Sequence, residues 1–188
     1  VVLSTDKMPE EGEKIREKDL LNHFVQWITD HVHSYFWCGA GNWSGFSEVT
    51  AQADEYSAVC FNGGWLDGRQ YSNCSTHSWE ASANNPQLNV YSDILAGITK
   101  CNQLLRDLGE TNPETSNPVR AARAFYTFLL MDNFGDTPIV DYKLTEGSTS
   151  IERSPRADVA RWIETELLAV RDKCPDEVNN STYGTPTC

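Results

Sequence analysis

The chain has 188 residues, 39% of them hydrophobic, which is enough to bury one core and marginal for two domains. Its formal net charge of -12, from 27 acidic and 15 basic side chains, disfavours binding to nucleic acid or anionic lipid, whose phosphates need basic partners. No apolar run approaches the roughly 18 residues of a membrane span. The polar N-terminal residues do not form a signal peptide, so an exported form would be a processed or trimmed chain.

The first third of the chain predicts an extended segment followed by two helices. Residues 1–12 are polar and charged and are expected to be extended. From about residue 13 to residue 34, apolar residues recur at three- and four-residue steps, which is the pattern of an amphipathic helix. A glycine-rich loop at 38–46 then leads to a shorter predicted helix at 47–59.

Residues 60–86 form a long polar segment with little helical periodicity. The segment contains several turn-forming pairs of Gly, Asp and Asn, together with Trp65 and Trp79. Loops of this length are usually functional or disordered, and the aromatic residues argue against disorder. A small hairpin at 65–71 is the one strand-like feature that this sequence predicts.

Three longer helices are predicted in the remainder of the chain. The first covers 87–108, where apolar residues hold one face. The second begins with Asn117 as N-cap and Pro118 at the first helical position, where its missing N–H costs nothing. Its apolar surface is so broad that we expect the helix to be buried and the other elements to pack against it. That surface consists of Ala121, Ala124, Phe125, Phe128, Leu129 and Met131.

Glycine, serine and proline mark the remaining helix boundaries. Gly135 can take the left-handed conformation just past the second helix, and Pro138 prevents the helix from resuming. An extended segment follows at 139–153. Ser154 is predicted to cap the third helix, which Pro175 ends. The sequence therefore predicts an all-α fold of antiparallel helices joined by loops.

The six cysteines do not form a CxxC pair, so their spacing excludes a zinc ribbon. In an oxidising compartment they could form disulfides, and Cys60 and Cys74, which flank one loop, are the predicted pair. Cys101 and Cys174 lie on helical patterns, where buried free thiols are an equal alternative.

Known catalytic and metal-binding patterns are missing from the sequence. His31 and His33 are two positions apart and therefore face different sides of a helix, and no HExxH, GxSxG or phosphate-binding loop occurs. The DNFGD run at 132–136 has Phe134 at a ligand position of a calcium loop and lacks the closing acid. Nothing selects an acid/base pair among the 27 carboxylates. We therefore predict no catalytic residue, no metal and no cofactor.

The aromatic loop at 60–86 is the better candidate site. Sugars present apolar C–H faces that stack on aromatic rings, and hydroxyls that pair with carboxylate, amide and guanidinium groups. Either tryptophan could instead close the core from the loop side, because tryptophan is buried on average. The candidate ligand-binding residues are Trp79, Asn84, Asn85, Trp65, Asp67 and Arg69.

The run RAFYTFLLMDNFGDTPIV, at 123–140, combines an Arg-Ala-aromatic-aromatic-x-aromatic-Leu helix with an aromatic-Gly-Asp-x-Pro corner. The pattern is met by Arg123, Ala124, Phe125, Tyr126, Phe128, Leu129, Phe134, Gly135, Asp136 and Pro138. It closely resembles the hallmark of the SusD/RagB family. These are surface lipoproteins of Bacteroidetes that capture glycans and deliver them to a TonB-dependent porin.

Two flanking segments agree with the same family in order and spacing. ITKCNQLL at 98–105 resembles its Ile-x-x-Ala-Asn-x-Leu-Leu helix, with Asn102 in the Asn place. ERSPRADVARWIETELLAV at 152–170 resembles its Arg-Ser…Val-x-x-x-Ile-x-x-Asp/Glu-Leu helix, with Glu166 in the acidic place. The resemblance is good over residues 91–184.

The resemblance implies an all-α, TPR-like α-α superhelix (SusD-like), with long irregular loops and at most a small hairpin. It also implies a longer protein, of which residues 1–188 are expected to be the N-terminal region, as a fragment or a trimmed chain. The partner face of the last helix would then be uncovered, with Trp162 or Leu168 at the surface. The hallmark itself, including Arg123 and Asp136, is expected to be structural.

For function, the resemblance implies a non-catalytic glycan-binding protein of the outer membrane and cell surface. Its expected partners are a glycan and a SusC-like TonB-dependent porin, and it would reach the membrane only through a lipid anchor absent from this chain. In the family, a Trp-rich loop before the helix at residue 91 commonly contacts glycan, which places the candidate residues on the binding side. The alternative is a TPR-like scaffold that binds peptide or protein, such as the porin, without binding sugar directly.

Overall fold

The computed structural model describes most of the second half of the chain and a few residues before it. The described residues are 75–78, 86–108, 113–141 and 151–174, together with Ala53 and Glu177. Apart from the single residue Ala53, the predicted elements before residue 60 lie outside them, as do the hairpin at 65–71 and the Cys60–Cys74 pair.

Three α-helices account for most of the described residues. They are α1 (Pro86–Leu108), α2 (Pro113–Phe134) and α3 (Arg156–Val170), and a short 3-10 helix, Arg171–Lys173, follows α3. In this part of the chain the only pairing of strand type is an isolated antiparallel bridge between Thr137 and Ser154. The all-α prediction is thus confirmed. None of the described helices combines the length and apolar character that a membrane crossing needs.

The chain divides into two compact units. One comprises Val1–Trp27 and Ile98–Cys188, and the other comprises Ile28–Gly97. The contacts between α2, α3 and the C-terminal half of α1 all belong to the first unit. The turn at 75–78 belongs to the second.

Helix α2 begins five residues before the predicted first position. It starts at Pro113, so Pro118 lies inside the helix and Asn117 is not its N-cap. Two Asn-Pro pairs lie close together, at 112–113 and 117–118, and the first of them starts the helix, because a proline is favoured at the first helical position. The prediction chose the second pair and was wrong. Asn117 is instead buried within the helix.

The end of α2 is as predicted. The helix ends at Phe134, and Gly135 follows with a φ of 74°. The Gly135 N–H donates to the carbonyl oxygen of Met131 at 2.9 Å, which is the single bond of a left-handed helix terminus. The chain therefore leaves the helix sharply at a residue that has no Cβ.

Gly135→Ala is expected to lower the free energy of unfolding by about 1–2 kcal/mol, the usual cost of the left-handed conformation for an L-residue. A Cβ at this position would meet nothing within 4 Å, so the whole cost comes from the backbone. Gly135→Asn should cost less, because asparagine tolerates this conformation. Urea denaturation measures both changes, and an alanine variant as stable as the parent would contradict the prediction.

Helix α3 is capped differently from the prediction. The predicted cap, Ser154, makes no side-chain capping bond, and its backbone N–H donates to the Thr137 carbonyl at 2.9 Å. The Arg156 N–H, in the first turn of α3, donates instead to Oδ1 of Asp136 at 2.8 Å. The acid of the Gly-Asp corner thus satisfies an unpaired amide of the next helix. The sequence predicted the adjacent serine as the cap, whereas in the structure the cap is an aspartate 20 residues before Arg156.

The core between α2 and α3 is built from small and medium side chains. Its buried members are Ala124, Met131, Val159 and Ile163, and Ile139 and Trp162 pack against them. The prediction that α2 is buried over its whole apolar surface is wrong for Phe125 and Phe128, which are 37% and 42% exposed. Their rings stack on one another, with centroids 6.5 Å apart and planes at 27°.

Candidate functional site

The six candidate glycan-binding residues lie outside the described part of the chain. They are Trp65, Asp67, Arg69, Trp79, Asn84 and Asn85. Their arrangement therefore stays a prediction. Two described elements adjoin them in the sequence: the turn at 75–78 ends next to Trp79, and α1 starts at Pro86.

The turn at 75–78 lies on the surface, and all four of its residues are exposed. Its shape is held by the Ser78 hydroxyl, which donates to the carbonyl oxygen of Thr76 at 3.1 Å and contacts the Thr76 hydroxyl at 2.9 Å. His77 lies between them with a φ of 53°, in the left-handed region that few residues other than glycine adopt. The turn therefore presents hydroxyl and imidazole groups to solvent.

The side chain of Arg123, on α2, contacts several segments of the described part. It is only 3% exposed. One guanidinium nitrogen, Nη1, donates to Oδ1 of Asn102 at 3.0 Å and to Oδ1 of Asp141 at 3.2 Å. The other, Nη2, donates to Oε2 of Glu166 at 2.9 Å. One arginine thus joins α1, α2, α3 and the segment that follows α2.

Two further contacts complete this Arg123 network. Arg120, one turn earlier on α2, donates to both carboxylate oxygens of Glu166, through Nε at 3.1 Å and Nη2 at 2.9 Å. Such a bidentate pair is among the strong charge-assisted hydrogen bonds. The Trp162 ring lies 5.3 Å from the Arg123 guanidinium carbon, within the range of a cation–π contact. Glu166 therefore accepts from two arginines, and the guanidinium of one of them, Arg123, also contacts an indole ring.

Asn102 extends the network to the backbone. Its Oδ1 accepts from Arg123, and its Nδ2 donates to the Val140 carbonyl at 3.1 Å. Both ends of the amide are therefore used, which fixes the orientation of the side chain. The extended segment after Pro138 is held to α1 by this bond.

The two arginines determine the ionisation of Glu166. Desolvation by burial acts to raise the pKa of Glu166, but the hydrogen bonds and charges of Arg120 and Arg123 outweigh it and hold that pKa below its usual value. The carboxylate thus stays ionised in the folded protein at neutral pH. A general acid would need the opposite shift.

Acid should therefore weaken the fold through Glu166. Because the pKa of Glu166 is lowered on folding, its contribution to stability is present above the unfolded pKa and is lost as the pH falls through the folded pKa. We expect the difference in unfolding free energy between the parent and Glu166→Gln to be largest near pH 7 and to shrink in the acidic range. Urea titrations from pH 7 to pH 3 measure it, with Glu164→Gln, exposed on the same helix, as control. A difference that stays constant over that range would contradict this account.

Two further titratable groups are buried near the network. Desolvation raises the pKa of the Cys101 thiol to about 12, against a smaller lowering effect of Arg123. Burial also raises the pKa of Tyr126. Cys101 and Cys174 are both buried thiols that form no disulfide, as in the buried-thiol alternative. A thiol that stays protonated is a poor nucleophile and a poor metal ligand.

The hydrogen bonds and ion pairs of the Arg123 network join three helices and the segment that follows α2. Its charged groups contact one another, and in the described part no three or more His, Cys, Asp or Glu residues are grouped as metal ligands. The sequence comparison had singled out Asn102, Arg123 and Glu166 on three separate segments. It did not indicate that they meet.

A second surface feature is an apolar groove between α2 and α3, with a volume of about 360 Å³. It is lined by Phe128, Met131, Ala160, Ile163, Glu164, Leu167 and Leu168. Leu168 is 55% exposed, whereas Trp162 is half-buried. One sequence feature could have indicated the groove. Leu167 and Leu168 are apolar residues of α3 that lie beside its buried stripe.

Comparison with known proteins identifies the fold. No family model and no curated protein matches the chain. Among solved structures, it is similar to a laminarin-binding SusD-like protein, with 20% identity and a TM-score of 0.73 over 89% of this chain and 36% of that one. It is also similar to a SusD-like protein from Bacteroides fragilis NCTC 9343, with 16% identity and a TM-score of 0.65 over 89% of this chain and 31% of that one. The chain thus has the SusD-like fold and spans about a third of the length of these two proteins.

Proposed function

We propose that this chain, which has the SusD-like fold, is part of a non-catalytic, cell-surface glycan-binding protein of the SusD/RagB family. The observation that carries the proposal is the structural likeness over 89% of the chain to a SusD-like protein that binds laminarin. The glycan would pass to a SusC-like TonB-dependent porin in the outer membrane, with a lipid anchor as the membrane attachment. The hallmark segment and its flanking helices support the same family independently, because they agree in order and spacing.

The proposed binding surface is the loop at 60–86. Trp79 and Trp65 supply flat apolar faces for sugar rings, because the C–H groups on one side of a pyranose match an aromatic ring. The polar groups that orient the sugar are Asp67, Arg69, Asn84 and Asn85. Binding by such a surface requires no proton transfer and no metal.

The Arg123 network supports the assignment to binding rather than catalysis. A glycoside hydrolase needs one carboxylic acid with a raised pKa beside an ionised one. The partly buried carboxylate of Glu166 has a lowered pKa and pairs with two arginines. Its work is to hold helices together, which leaves recognition to the loops.

Affinity electrophoresis of the full-length protein in gels containing a panel of glycans tests the proposal. Trp79→Ala is expected to weaken binding about tenfold, the equivalent of about 1.4 kcal/mol for a lost aromatic platform. Phe128→Ala removes a surface aromatic from the α2–α3 groove and is the matched control, with no expected effect on glycan affinity. If Trp79→Ala retained the parental affinity for every bound glycan, the site assignment would fail.

The apolar groove favours a second candidate function, a scaffold that binds protein. Helical grooves of this kind accept the apolar face of an amphipathic helix. Phe128 and Leu168 expose large apolar areas on its two sides. Co-purification of the porin with the parent protein but not with Leu168→Glu, together with no glycan binding in any assay, would favour this function. Thr165→Glu, exposed on the same helix, is the control for added charge.

A further inference from the structure

We draw no further inference here: the strongest candidate, the apolar groove between α2 and α3, already belongs to the second candidate function, and nothing in the structure shows what covers it.

Discussion

Replacing Arg123 with methionine is expected to lower the free energy of unfolding by about 3–5 kcal/mol, the usual cost of removing one partner from a buried ionic cluster. The guanidinium is 3% exposed and bonds to Asn102, Asp141 and Glu166. Its loss leaves Glu166 with Arg120 as its arginine partner in a partly buried site. It also removes the hydrogen bond that Arg123 donates to Oδ1 of Asn102.

A matched control separates this effect from a general cost of removing arginine from a helix. Arg161→Met makes the same change on α3, where the arginine pairs with Asp158 at the surface. An exposed pair of this kind contributes about 0–1 kcal/mol. Urea denaturation at pH 7 measures both variants. An Arg123→Met protein within about 1 kcal/mol of Arg161→Met would show that the network does not hold the helices together.

Arg123→Lys gives a more detailed test of the same network. Lysine keeps the positive charge but lacks the planar fork that reaches two helices and a loop at once. We therefore expect a stability between those of the parent and of Arg123→Met. A lysine variant as stable as the parent would show that charge alone, and not the fork geometry, is what matters.

The second large effect is expected in the core between α2 and α3. Ile163→Ala should destabilise the protein by about 2–5 kcal/mol, because it removes buried methylene groups and leaves a cavity. Ile163 is 7% exposed and packs with Ala124, Met131 and Val159. The spread reflects how far the neighbouring side chains can close the cavity, and the nearby groove gives them some freedom to do so.

Ile151→Ala removes the same atoms at a position that is 38% exposed. Its expected cost is small, because surface substitutions usually change stability by no more than about 0.5 kcal/mol. Thermal or urea unfolding compares the pair. Equal losses in the two variants would mean that the α2–α3 contact is not a core of the fold.

The helices of the second half could be predicted from the sequence because local signals agree there. The apolar periodicity of 86–108 and the left-handed Gly135 each depend on neighbouring residues. Where two local signals competed, the prediction failed: Asn-Pro pairs occur at both 112–113 and 117–118, and only the structure shows that Pro113 starts the helix. Propensity ranks such candidates but does not choose between them.

The tertiary contacts could not be predicted from local patterns. Asp136 caps a helix 20 residues away, and Arg123 meets a glutamate 43 residues away. Such pairs depend on how helices pack, which no single segment encodes. The family resemblance marked Asn102, Arg123 and Glu166 as noteworthy positions, and their convergence explains in physical terms why residues of these types occur there together.

The exposed aromatic pair illustrates the opposite failure. Phe125 and Phe128 have the composition of core residues, yet both remain partly exposed. Hydrophobicity predicts that a residue favours burial, not that a partner is present to bury it. The same holds for the candidate site. The aromatic and amide residues of the loop predict sugar binding, but their arrangement in space depends on the rest of the fold.

In the proposed function, the loop binds the glycan and the Arg123 network stabilises the fold, and one paired measurement tests this separation. Affinity electrophoresis and urea denaturation are carried out on Trp79→Ala and Arg123→Met in the full-length protein. We predict that Trp79→Ala loses glycan affinity with an unchanged unfolding midpoint, whereas Arg123→Met lowers the midpoint and binds glycan normally under conditions where it is folded. Full glycan affinity in Trp79→Ala, with lost affinity in folded Arg123→Met, would contradict the account.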